Sequence, residues 1–245
     1  MHSTVFGEFF GTMVLIAFGD GCVANLVLKD SKGNGAGWLH VNWAWCWAVI
    51  MGAFAAQATG SAGADLNPAV TLAKLMAGLY PTTELALQLM GAQFVGAFVG
   101  AVIVYLAYLN HWEGSDAGSI LGTFTTGPAR RNYVCNFITE VIATFFLVTG
   151  IFCIFAKDVT GGLSAPWVGI VMVGGLIYVI GAALGGPTGY SLNPARDFGP
   201  RVAHAVLPIP GKGSSDWSYA WVGTVGPWCG AVVAFYVCRA LGLGF

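Results

Sequence analysis

The chain has 245 residues, 56% of them hydrophobic and 9% charged, where an ordinary soluble domain carries about 25% charged residues, and its mean hydropathy is +0.73. Those values exclude a water-soluble globule. Ten Lys and Arg against eleven Asp and Glu give a net charge of −1, which offers no basic face to nucleic acid.

Met1–Thr4 carry no basic start, so the apolar run at 5–28 is expected to stay as a membrane span rather than be cleaved. Further runs lie at 41–60, 86–109, 134–156, 165–186 and 218–241. Each is close to the roughly 20 residues that carry a helix across a hydrocarbon core of ~30 Å. Stretches such as 95–109 and 168–184 are apolar on every face, whereas the strand of a membrane barrel alternates. The expected fold is all-α, with six transmembrane helices. The six cysteines fall in or beside these runs without metal-ligand spacing and read as small apolar packing residues.

Two short segments interrupt the series. Asn67-Pro68-Ala69 opens residues 68–78, and Asn193-Pro194-Ala195 opens residues 194–206. Asn is a favoured N-cap and Pro a favoured first helical residue, so both mark helix starts. About eleven residues rise ~16 Å, half the core, which makes each a re-entrant half-helix. The two motifs occupy matching places in a repeat. Glu8 and Thr12 recur as Glu140 and Thr144, and Gly96 and Gly100 as Gly226 and Gly230, all about 130 residues on. The units are approximately 1–110 and 132–245, within one channel domain covering 1–245. Three spans per unit force the second copy to enter from the opposite side, giving an inverted repeat.

Two half-helices entering from opposite sides meet near the midplane, where their N-termini focus positive dipole ends and two Asn side chains. The non-helical approaches, 60–66 and 185–192, expose backbone carbonyls, which membrane depth allows only around a polar cavity. A pore for small neutral hydroxylated solutes follows, with the facing dipoles repelling cations. The spans hold no paired base and nucleophile, so no enzyme activity is expected, and no cofactor or metal either. Asp20 and Asp65 are ionisable groups at membrane depth and keep a proton-coupled transporter open as the alternative.

With both Asn-Pro-Ala motifs in place and Arg196 and Asp197 following the second, the whole chain resembles the aquaporin and aquaglyceroporin family, and its glycerol-facilitator branch in particular. The resemblance implies a passive channel for glycerol, water and other small neutral solutes, urea and neutral lactic acid among the candidates. It further implies a homotetramer in a bacterial plasma membrane, with both termini cytoplasmic. By the same resemblance Glu8 and Glu140 brace the re-entrant loops, and Trp47, Gly181, Tyr190 and Arg196 build the selectivity filter. An interfacial anchor is the competing role for Trp47 and the expected role for Trp43 and Trp45. Asp65 departs from the family pattern. It either lines the pore mouth or holds the loop through backbone donors. The basic residues Lys29, Lys32, Arg130, Arg131 and Lys212, against Lys74, Lys157 and Arg239, would orient the chain the other way by the positive-inside rule.

Overall fold

The computed structural model describes residues 2–156, 159 and 166–243. Six helices are long and apolar enough to cross a bilayer. They are α1 (Thr4–Val27), α2 (Trp38–Ala58), α4 (Thr83–Ala107), α6 (Tyr133–Phe155), α7 (Pro166–Leu184) and α9 (Trp217–Ala240). The half-helices are α3 (Pro68–Met76) and α8 (Pro194–Val206). A further short helix, α5 (Ala117–Phe124), lies in the connection between the repeats, where no element was expected. Lys157 lies outside the described residues.

Local chemistry fixes the boundaries. Ser3, Thr82 and Asn132 cap α1, α4 and α6, each side chain accepting an N–H of the first turn. Asn67 and Asn193 cap the half-helices in the same way, with Pro68 and Pro194 at the first helical position. At 9 and 13 residues these helices rise ~14 and ~20 Å, too short to span. Lys212 closes the far end of α8, its ammonium donating to the carbonyls of His204, Ala205 and Leu207.

The two units pack alike. In the first, α1 lies against α2 and α4; in the second, α6 lies against α7 and α9. Glycine permits the closest approaches. A Cβ on Gly100 would stand 2.6 Å from the Met13 carbonyl of α1, and one on Gly230 would stand 2.5 Å from the Val141 carbonyl of α6. Without a hydrophobic drive between helices in lipid, such backbone contact supplies the packing. The outer surface carries exposed Phe18, Trp43, Met51, Val134, Ile142 and Met172 toward lipid. Cys135 joins that exposed face, contrary to the packing role expected of it, because the capped first turn of α6 turns it outward.

Candidate functional site: a pore built at two half-helix ends

The N-termini of α3 and α8 meet through crossed hydrogen bonds. Asn67 Nδ2 donates to the Leu192 carbonyl at 2.9 Å, and Asn193 Nδ2 donates to the Leu66 carbonyl at 2.7 Å. Each Asn oxygen meanwhile accepts from its own helix, at Ala69 N and at Ala195 and Arg196 N. One N–H of each amide is thereby used and the second remains for a solute.

The approach loops obey the repeat down to the backbone. Ala64 and Leu66 have φ of 42° and 54°; Tyr190 and Leu192 have φ of 41° and 56°. Left-handed backbone at four non-glycine residues is strained and persists only where surroundings impose it. Buried Glu8 and Glu140 do so. Glu8 accepts from Asp65 N (2.9 Å), Leu66 N (2.7 Å), Ser61 Oγ (2.6 Å) and Gln93 Nε2 (2.8 Å). Glu140 accepts from Ser191 N (3.0 Å) and Leu192 N (3.1 Å). With the N–H groups of Asp65, Leu66, Ser191 and Leu192 turned to the acids, residues 62–66 and 189–192 line a cavity of about 500 Å³. Its opposite wall is apolar, from Leu15, Val49, Ala53, Leu147, Ile170 and Ile177.

The lining includes Gln57, Lys74 and Tyr80, and also Trp45, Tyr190 and Arg196. The Arg196 guanidinium carbon lies 4.4 Å from the Trp45 ring centre. Its Nη1 donates to the Phe124 carbonyl at 3.2 Å and stands 3.1 Å from Asp20 Oδ1. Trp38 meets Tyr190 edge to face and donates to the Gly181 carbonyl at 3.1 Å.

Trp47, expected in the filter, does not line the cavity. It is 45% exposed on the outer face against Trp43, while Trp45 is 6% exposed and lies over the arginine. Two residues on a helix are about 200° apart, so Trp45 and Trp47 cannot share a face. The anchor role considered for Trp47 fits that outer position, and Trp45, expected as an anchor, is instead buried and takes the inner one. Gly181 does not line the cavity itself but packs behind Tyr190, which does. A Cβ there would strike Asn42 Oδ1 at 2.5 Å and the Tyr190 ring at 2.8 Å, so the space it leaves is filled by Tyr190.

Asp65 both borders the cavity and is held. Its carboxylate receives the Thr71 hydroxyl at 2.7 Å, the Tyr80 hydroxyl and the Lys74 ammonium. These donors are side chains, where the loop-holding alternative expected backbone, and Asp65 borders the cavity as the pore-mouth alternative expected. Asp197 stays out of the cavity. It accepts from Thr126 N and Oγ1 and from Arg201, which ties the connection after α5 to α8. Asp20, Trp45 and the Phe124 carbonyl were not read as parts of this site. Only the unusual acid within the first span signalled one of them.

Residues 1–238 match the family model described as Major intrinsic protein. A glycerol uptake facilitator protein of Bacillus subtilis is 50% identical over 222 residues, 90% of this chain and 78% of that protein. Glycerol uptake facilitator protein 3 of Lactiplantibacillus plantarum is 46% identical over 236 residues, 96% of this chain and 95% of that one. Among solved structures, the aquaglyceroporin from Plasmodium falciparum superimposes with a TM-score of 0.84 at 27% identity, covering 98% of both chains. With six spans, two capped half-helices and a family match running from the first repeat through the second, the chain belongs to the major intrinsic protein family.

Proposed function

We propose that the protein is a passive channel for glycerol, and for water and other small neutral solutes, working as one domain of two inverted repeats at approximately 1–110 and 132–245. The observation that carries this reading is the two-sided cavity wall. The approach loops and two spare amide N–H groups form a polar stripe in a lining that otherwise includes apolar Leu15, Val49, Ala53, Leu147, Ile170 and Ile177. A polyol has hydroxyls along one edge and C–H groups along the other, so it can exchange water for carbonyl and amide partners while its carbon chain slides on the apolar wall.

At the end of the passage, Trp45 and Tyr190 supply flat walls for C–H groups. Arg196 supplies donors to oxygen, since among the described residues its Nε and Nη2 make no hydrogen bond. The α3 and α8 N-termini put two positive dipole ends at the narrow centre, which disfavours cations and interrupts a proton wire. Urea and neutral lactic acid satisfy the same stripe and belong to the solutes worth assaying. The setting we infer is a bacterial plasma membrane, as a homotetramer with a pore in each subunit and both chain ends cytoplasmic.

The test is osmotic swelling and shrinking of proteoliposomes by stopped flow. Glycerol flux at least about tenfold above empty liposomes, following its gradient and unaffected by an imposed potential or proton gradient, is the expected result. Accumulation against the gradient would overturn the channel in favour of a coupled transporter.

A further inference from the structure

Every cation held within the pore region has an acid beside it. Lys74 meets Asp65, Arg201 meets Asp197 at 2.8 Å, and the filter arginine meets Asp20 at 3.1 Å. The first two pairs hold backbone together. Asp20 has no such duty. Its side chain is wholly buried on α1, one residue beyond Gly19, against which the Trp45 ring is packed. Neither oxygen receives a hydrogen bond among the described residues, and Oδ1 has the 3.1 Å ion-pair contact with Arg196. An acid at membrane depth is costly unless a charge answers it, and the only cation within reach among the described residues is Arg196.

Resting on the filter reading above, we propose that Asp20 is a specificity-determining residue that cancels the charge of Arg196, so that the constriction is electrically neutral and selects by hydrogen bonding and shape. The pairing acts in two ways. It removes a fixed positive charge that would otherwise draw small anions into the narrowest part of the passage, where little water screens it. It also occupies Nη1, together with the Phe124 carbonyl, and leaves Nε and Nη2 as the donors for a solute oxygen. Asp20 touches the arginine rather than the solute, so its influence is read in which charges leak, with glycerol passage reporting that the channel has assembled.

A charge cycle tests this. Asp20→Asn leaves the filter with one positive charge, Arg196→Ala leaves it with one negative charge, and the double variant is neutral again. Each is reconstituted and checked for glycerol flux. Anion leak is read as valinomycin-dependent swelling in potassium nitrate, and proton leak with a trapped pH dye under an imposed potential. Asp20→Asn is expected to raise nitrate flux by about tenfold or more, Arg196→Ala to raise proton flux by about tenfold or more, and the double variant to return both toward the native level.

Nitrate flux unchanged in an Asp20→Asn channel that still passes glycerol would overturn the proposal. So would an Arg196→Ala proton leak that persists in full after Asp20→Asn is added. If Asp20→Asn alone does not assemble, the comparison of Arg196→Ala with the double variant decides, because removing both partners leaves no orphaned charge. Absence of glycerol flux in the native protein would count against the channel reading itself, a separate failure from either of these.

Discussion

Trp45 and Arg196, 151 positions apart in the chain, form one unit in the pore, with the guanidinium 4.4 Å over the indole. The contact is worth about 1–2 kcal/mol where water is excluded. It holds the arginine against the tryptophan in the cavity lining. Trp45→Ala is therefore expected to lower the discrimination between glycerol and larger polyols several-fold, while Trp47→Ala, on the outer face, leaves solute flux within about twofold. Stopped-flow rates for glycerol and a five-carbon polyol check both. Equal effects of the two substitutions would remove Trp45 from the filter.

Gly181 gives a second expectation. Because a Cβ would meet the Tyr190 ring and Asn42, Gly181→Ala should displace the tyrosine into the passage and reduce glycerol flux more than water flux. Adding Tyr190→Ala should relieve the crowding and restore part of the glycerol flux. A loss that is the same with and without Tyr190 would show that the glycine acts through something else.

Glu8 and Glu140 hold strained loops by accepting several donors at once. Replacing either by Gln turns one acceptor into a donor facing donors, at a cost of about 1–3 kcal/mol per lost bond. Both substitutions should lower the unfolding temperature in detergent by several degrees and reduce all solute fluxes together. A selective change in one solute with unaltered stability would contradict the bracing role.

Asp65 is engaged by Thr71, Lys74 and Tyr80, and its side chain is shut from solvent. Asp65→Asn leaves Lys74 without its partner, a loss of up to roughly 3 kcal/mol. Protein yield and the flux of every solute should fall in parallel. Preserved glycerol flux with an altered pH dependence of weak-acid flux would place the carboxyl on the solute path instead.

The sequence made some of this plain and hid the rest for physical reasons. The half-helices were legible because Asn and Pro mark a helix start wherever it lies, and the expected 194–206 matches Pro194–Val206. Glu8 and Glu140 stood out through the repeat, and their bracing role came from the family resemblance. The filter tryptophan was not. A span that is apolar on every face gives no phase, and counting from Asn67 back to the tryptophans crosses the non-helical stretch after Ala58, whose length helix geometry does not set. Asp20 stood out as an unusual acid, but its partner lies 176 positions away and no local pattern connects them. The α5 helix escaped because eight residues within a loop give too few turns for periodicity to show.

The crossed bonds between the two Asn side chains and the opposing loops bear on how the protein is made. The amide of Asn67 needs the carbonyl of Leu192, a residue that the ribosome adds 125 positions later. Until then the first half-helix has its cap and its Glu8 brace but no partner at its tip. The first repeat thus enters the membrane with an unfinished end, and the second repeat, arriving upside down, completes it while being completed itself through Asn193 and Leu66. Biogenesis ends at the middle of the molecule, and a chain halted in the connection between the repeats would leave the first polar loop at membrane depth with nothing to close it.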